Sequence, residues 1–96
     1  METALVNLKA KDNQNAEHLK NALLHLKKLS QDEMGMVHYE VFQSKEDPLI
    51  YYVRESWSSQ DMLNRHLEQP HLQKFVRDTQ EWLTAPFTST LLREVF

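Results

Sequence analysis

The spacing of apolar residues switches from a period of two to a period near 3.6 and back, twice over, and that order limits the fold more than any single motif does. Ala4, Val6, Leu8 and Ala10 alternate with Leu5, Asn7 and Lys9, the pattern of a strand with one buried face. Polar residues Asp12 to Asn15 then turn the chain. Ala16, Leu19, Ala22, Leu23, Leu26 and Leu29 follow at three- and four-residue intervals, which predicts a helix to about Ser30. Gly35, the only glycine, stands where that helix must give way to an extended segment, a place that favours positive φ. Strand two is predicted over Met36–Ser44 and strand three over Leu49–Ser56, joined by Lys45-Glu46-Asp47-Pro48, a turn by composition.

Ser58, with Asp61 three residues on, reads as an N-cap, and Trp57 and Met62 as the two halves of a hydrophobic staple. The short helix that follows should turn Met62, Leu63, His66 and Leu67 inward. Proline is tolerated in a helix only at its first turn, so Pro70 opens a second segment and the helical region breaks near Gln69. There Leu72, Phe75, Val76, Thr79, Trp82 and Leu83 share a face. Pro86 is expected to end it, and Phe87–Phe96 to form a last strand with both faces partly covered. The order is βαββαβ, an α+β, ferredoxin-like antiparallel sheet with helices on one face. The other face stays bare. Strands three and four are largely apolar on both sides, and a bare apolar face of that size is most simply covered by a second copy in a two-fold homodimer.

Ninety-six residues, 41% of them hydrophobic and 26% charged, have material for one core, so residues 1–96 are read as a single domain. With a net charge of −3 and no long basic run, nucleic acid is not an expected partner. No stretch approaches the roughly 18 apolar residues of a membrane span. The opening Met1-Glu2-Thr3 lacks the basic and apolar parts of a signal peptide, from which a cytoplasmic location is expected. The absence of cysteine removes disulfides, thiolate nucleophiles and iron–sulfur ligation together. One glycine cannot build a phosphate-cradling loop.

The run Glu55-Ser56-Trp57, Met62-Leu63, His66-Leu67-Glu68-Gln69-Pro70-His71 and then Phe75 resembles the most recognisable stretch of the antibiotic biosynthesis monooxygenase family. Gly35 and Asp47-Pro48 also sit where that family has them, and the resemblance spans nearly the whole chain. It implies a dimeric α+β barrel. It also implies, for some members, oxidation of quinol-like or polyketide aromatic substrates by dioxygen without metal or flavin. Relatives isomerise or cleave a phosphorylated signalling sugar, degrade haem, or have no established activity. Asp12-Asn13 departs from the Pro-Gly turn common after strand one. His66 stands where the haem-degrading relatives have Trp, and Val76 where they have His, which argues against haem degradation.

Such chemistry needs an apolar pocket, a base for an acidic substrate proton, and donors that hold the anion. Histidine titrates near working pH, at about 6.5 when unperturbed. His66 lies on the inward side of its helix with Leu63 and Leu67, and is the expected catalytic base or relay; a hydrogen-bonded core histidine is the plainer alternative. Asn7 could orient a substrate oxygen, Trp57 could wall a flat ring, and His71 and Tyr52 complete the expected substrate contacts. No cofactor and no metal are expected: His38 and Glu40 point the same way from strand two, but no third ligand is visible beside them. A sugar isomerase would instead need a cationic pocket, for which Arg54 and Arg93 are the candidates. A closed apolar pocket containing His66 would mark the oxygenase, and a pocket filled by the chain's own side chains a non-catalytic binding module.

Overall fold

Period-two strands and period-3.6 helices sort the chain into two layers, one sheet and one set of helices. The computed structural model describes residues 1–96. Strands β1 (Glu2–Lys9), β2 (Met36–Gln43), β3 (Ile50–Trp57) and β4 (Thr88–Leu92) form one sheet, and helices α1 (Asn13–Ser30), α2 (Gln60–Leu67) and α3 (Pro70–Thr79) connect them. The sheet runs β2-β3-β1-β4 with every neighbouring pair antiparallel, the ferredoxin-like arrangement expected from the element order. No helix is long and apolar enough to cross a membrane.

The core lies between the layers. Leu8 of β1 and Ala10 just beyond it, Leu19, Leu23 and Leu26 of α1, Tyr39, Tyr51 and Val53 of the hairpin, and Phe75 of α3 join one buried cluster. Residues directly paired across antiparallel strands share a face. The helix-side face therefore carries Ala4, Tyr39 and Glu55 in one row, and the opposite face carries the pairs Asn7–Tyr52, Phe42–Tyr52 and Glu40–Arg54. Phe42 and Leu92 are exposed there, and nothing in the chain covers them.

Three sequence expectations shift, each for a backbone reason. Ser59, not Ser58, caps α2 and accepts a hydrogen bond from the Met62 amide, because the Ser58 amide bonds the Gly35 carbonyl at 2.8 Å and carries the extended hairpin one residue further. Trp57 and Met62 are then out of register for a staple, and Met62 lies over Gly35 instead. The last helix ends at Thr79, well before Pro86, because Lys9, Ala10 and Lys11 capture the chain beyond it. Lys11 donates to the Trp82 carbonyl and Thr84 to the Lys9 carbonyl, both at 2.9 Å, around an Ala10–Leu83 bridge. The final strand is five residues long and exposed throughout, against an expectation of Phe87–Phe96 with covered faces. Leu92 already pairs with Thr3, so β1 has nearly run out, and β4 is a sheet edge that the helices do not reach.

Gly35 has the positive φ its position called for, 85°, and a methyl group built on it would lie 2.3 Å from Met62 Cγ. Both the backbone and the contact oppose a side chain. Gly35→Ala should therefore lose about 2–4 kcal/mol of stability, read as a lower denaturant midpoint at unchanged slope; a midpoint equal to wild type would contradict this packing.

Candidate functional site

Five polar side chains meet where the end of β3 faces the two short helices. Glu55 and Trp57 are two apart on β3 and so share the helix side. Both are buried, and the Trp57 indole N–H donates to Glu55 Oε1 at 3.0 Å. The Ser59 cap sets α2 so that Leu63 and His66, three apart, turn inward. His66 is only 2% exposed and stacks on Trp57, with ring centroids 4.4 Å apart and planes at 30°. Pro70 at the start of α3 places His71 in its first turn, and the loop leaving α1 brings in Glu33.

Glu33 joins the helices. Its Oε2 lies 2.8 Å from His66 Nδ1 and 2.8 Å from His71 Nε2. A carboxylate can only accept, so those two ring nitrogens carry the hydrogens. The other nitrogen of His66, Nε2, then looks toward Glu55 Oε1 at 3.8 Å. The result is a line from Glu55 through His66 and Glu33 to His71, and side-chain exposure rises along its outer part from 2% at His66 to 12% at Glu33 and 19% at His71. Burial pushes the Glu55 carboxyl up, against the Trp57 hydrogen bond and the charge of His66, which favour ionisation. Burial, with the charges of Glu55 and Glu33, raises the Tyr39 phenol far above its ordinary range and keeps it neutral. Ser30 Oγ is buried beside the Tyr39 phenol, close enough to favour its ionised form slightly but without a hydrogen bond of ordinary geometry.

The structure brings His66, Trp57 and His71 together as one cluster. It does not bring Asn7 and Tyr52 to them. Tyr52 is five positions from Trp57 on the same strand, an odd number, so it must point to the other face, and Asn7 pairs with Tyr52 there. Sequence reading gave no role to Glu33, Glu55 or Tyr39. Glu55 could have been found by its even spacing from Trp57, whereas Glu33 reaches His66 and His71 across more than thirty residues and left no local signal. His38 and Glu40 share the bare face as expected, but Glu40 is held by Arg54. The one group of three ligand-type side chains with converging donor atoms is Glu33, His66 and His71, a place where no metal was expected.

His66 lines none of the five main surface hollows. Glu33 borders one of about 230 Å³ with Met34, Met62 and Arg65, and His71 borders one of about 120 Å³ with Leu26, Lys74 and Phe75. A more apolar hollow of about 460 Å³, between Lys11, Thr79, Leu83 and Phe87, shares no residue with the cluster.

A family model described as antibiotic biosynthesis monooxygenase matches residues 1–78. Among solved structures, a protein of Deinococcus radiodurans whose proposed identity is antibiotic biosynthesis monooxygenase superposes with a TM-score of 0.91 at 21% identity, covering 98% of this chain and 92% of its own. One from Nitrosomonas europaea with the same proposed identity superposes at 0.91 and 19%, covering all of both chains. A Pseudomonas aeruginosa protein superposes at 0.85 and 24%, covering 99% and 95%. At these identities the likeness is one of fold. No curated protein matches the chain.

The raised Glu55 carboxyl has a sign that can be checked. A native carboxyl above its unfolded value of about 4.3 stabilises the fold while protonated, and that contribution is lost as pH rises through the native value. Glu55→Gln, which keeps a neutral side chain of the same shape, should gain melting temperature relative to wild type as pH rises from about 4, then level off. A difference that stays flat or shrinks over that range would contradict the assignment.

Proposed function

The chain belongs to the antibiotic biosynthesis monooxygenase family, and we propose that it is a cofactor-independent monooxygenase acting on a small quinol-like or aromatic substrate with dioxygen. The observation that carries this reading is the His66 imidazole, closed from water, with one nitrogen on Glu33 and the other toward Glu55. A substrate proton taken by the free Nδ1 of His71, at the more open end, lets the Nε2 proton of that ring move onto Glu33, and His66 holds Glu33 from the buried side, so His71 meets the substrate and His66 keeps the acceptor in place. Loss of that proton leaves an electron-rich anion able to reduce dioxygen. With an anthrone-type methylene, one oxygen atom becomes the new carbonyl and the other leaves as water, so the substrate supplies all the electrons. Trp57 fixes Glu55 and backs the His66 ring; it acts by positioning.

We further propose that the bare sheet face packs against a second copy of the chain. Leu5, Phe42, Tyr52 and Leu92 give that face an apolar centre, the Glu40–Arg54 pair gives it charge, and Asn7 and Tyr52 belong to this contact. A two-fold axis covers the whole face by using one patch twice.

The sugar isomerase reading loses support from geometry. Arg54 is committed to Glu40 on the bare face, and Arg93 lies at the sheet edge beside Glu94, so neither can hold phosphate near His66. A non-catalytic binding module draws support from one feature: His66 is buried and lines none of the five main surface hollows.

Oxygen consumption with a panel of reduced quinols and anthrones should be measurable for the wild type and about 10²–10⁴-fold slower for His66→Ala, with circular dichroism unchanged. No turnover with any of them would favour the binding module. Light scattering should give twice the chain mass of 11.4 kDa, and Phe42→Arg should bring it to one chain; a wild-type monomer would remove the dimer proposal.

A further inference from the structure

We propose that Glu33, His66 and His71 form a binding site for one divalent transition-metal ion of the zinc and cobalt class. The three side chains come from the loop after α1, from α2 and from α3, yet their donor atoms all lie within 4.8 Å of one another. Two imidazoles and one carboxylate are the ligand set of open, three-residue zinc sites, which leave a fourth position for water or a small anion. Imidazole donors select this class of ion over magnesium or calcium.

The spacing is close to what an ion requires. Bonds of about 2.1 Å at tetrahedral angles hold donor atoms about 3.4 Å apart. Both imidazole–carboxylate spacings, 2.8 Å, fall just inside that distance, and no pair of donors in the triad is more than 4.8 Å apart. An ion enters by spreading the shared carboxylate contact and drawing the two imidazoles together. The route is open at Glu33 and His71, each of which borders a surface hollow, while His66 forms the floor.

The surroundings supply the second argument. A histidine that binds metal through one ring nitrogen nearly always turns the other toward a carboxylate, which fixes its tautomer and strengthens it as a ligand. Glu55 stands on that side of His66, its Oε1 3.8 Å from Nε2 and so beyond hydrogen-bond distance until the ring shifts toward it, and the Trp57 indole holds Glu55 in place at 3.0 Å. The exposed histidines have no such backing: His38 has only Glu40 on its face, and Arg54 holds that carboxylate.

The ion would take the same three side chains that the oxygenase reading uses for proton handling, and metal uptake is measured without any turnover, so the two can fail separately. The full chain, stripped with chelator and dialysed, is titrated with Co²⁺ while visible absorbance and heat are recorded. The expected result is saturation at one ion per chain, with visible bands of a low-coordinate site and a higher melting temperature. Glu33→Gln and His71→Gln, which keep the side-chain volumes, should abolish saturation with the fold checked by circular dichroism, and His38→Ala and His18→Ala should leave it unchanged. Glu55→Gln should weaken binding by about 10–100-fold, the cost of losing a carboxylate behind a ligating histidine. Absence of saturable uptake, uptake that survives in the Glu33 and His71 variants, or uptake lost with His38 or His18 would overturn the proposal. A chain that binds cobalt yet consumes no oxygen keeps this site and loses the oxygenase reading.

Discussion

One carboxylate oxygen ties the helical layer together at its functional end. Glu33 Oε2 accepts from imidazoles on both α2 and α3, and the loop that carries it also carries Gly35, whose carbonyl accepts from Ser58 and so determines where α2 can begin. A mostly buried carboxylate is costly unless its lone pairs are used. Here two donors on different helices use them, so the position of each helix is fixed by the same atom. Without that contact α2 and α3, of eight and ten residues, would be held mainly by Leu63 and Phe75. Helices so short have little stability of their own.

The sheet separates two tasks by parity. Its helix side ends in the polar cluster at Glu55 and Trp57, while its other side is a broad patch of Leu5, Asn7, Phe42, Tyr52 and Leu92. The first suits proton handling or ion binding under a closed helical cover, and the second suits a partner subunit. Side chains one residue apart on β1 or β3 therefore point to different faces.

Much of this was legible in the sequence because it is written in local periods. The strand and helix order, the break at Pro70, the positive φ of Gly35 and the bare face all follow from spacing and from the backbone limits of proline and glycine. The alternation of β1 also contained the information that Asn7 points away from the helices, since it stands between Val6 and Leu8. Treating Asn7 and Tyr52 as companions of His66 ignored that parity. The features that escaped are set by long-range hydrogen bonds: the cap at Ser59 by Gly35, the early end of α3 by Lys9 and Lys11, and the role of Glu33 by two histidines far along the chain. Periodicity identified His66 as inward-facing, but nothing local could name the carboxylate it would meet.

The central claim is that Glu33 holds His66 and His71 in defined tautomers as one hydrogen-bonded unit. A long-range nitrogen–proton correlation spectrum of the histidine rings tests it most directly. The account predicts a hydrogen fixed on Nδ1 of His66 and on Nε2 of His71, with both patterns altered together in Glu33→Gln. Two rings with the mixed tautomers of free histidine, indifferent to Glu33, would contradict it.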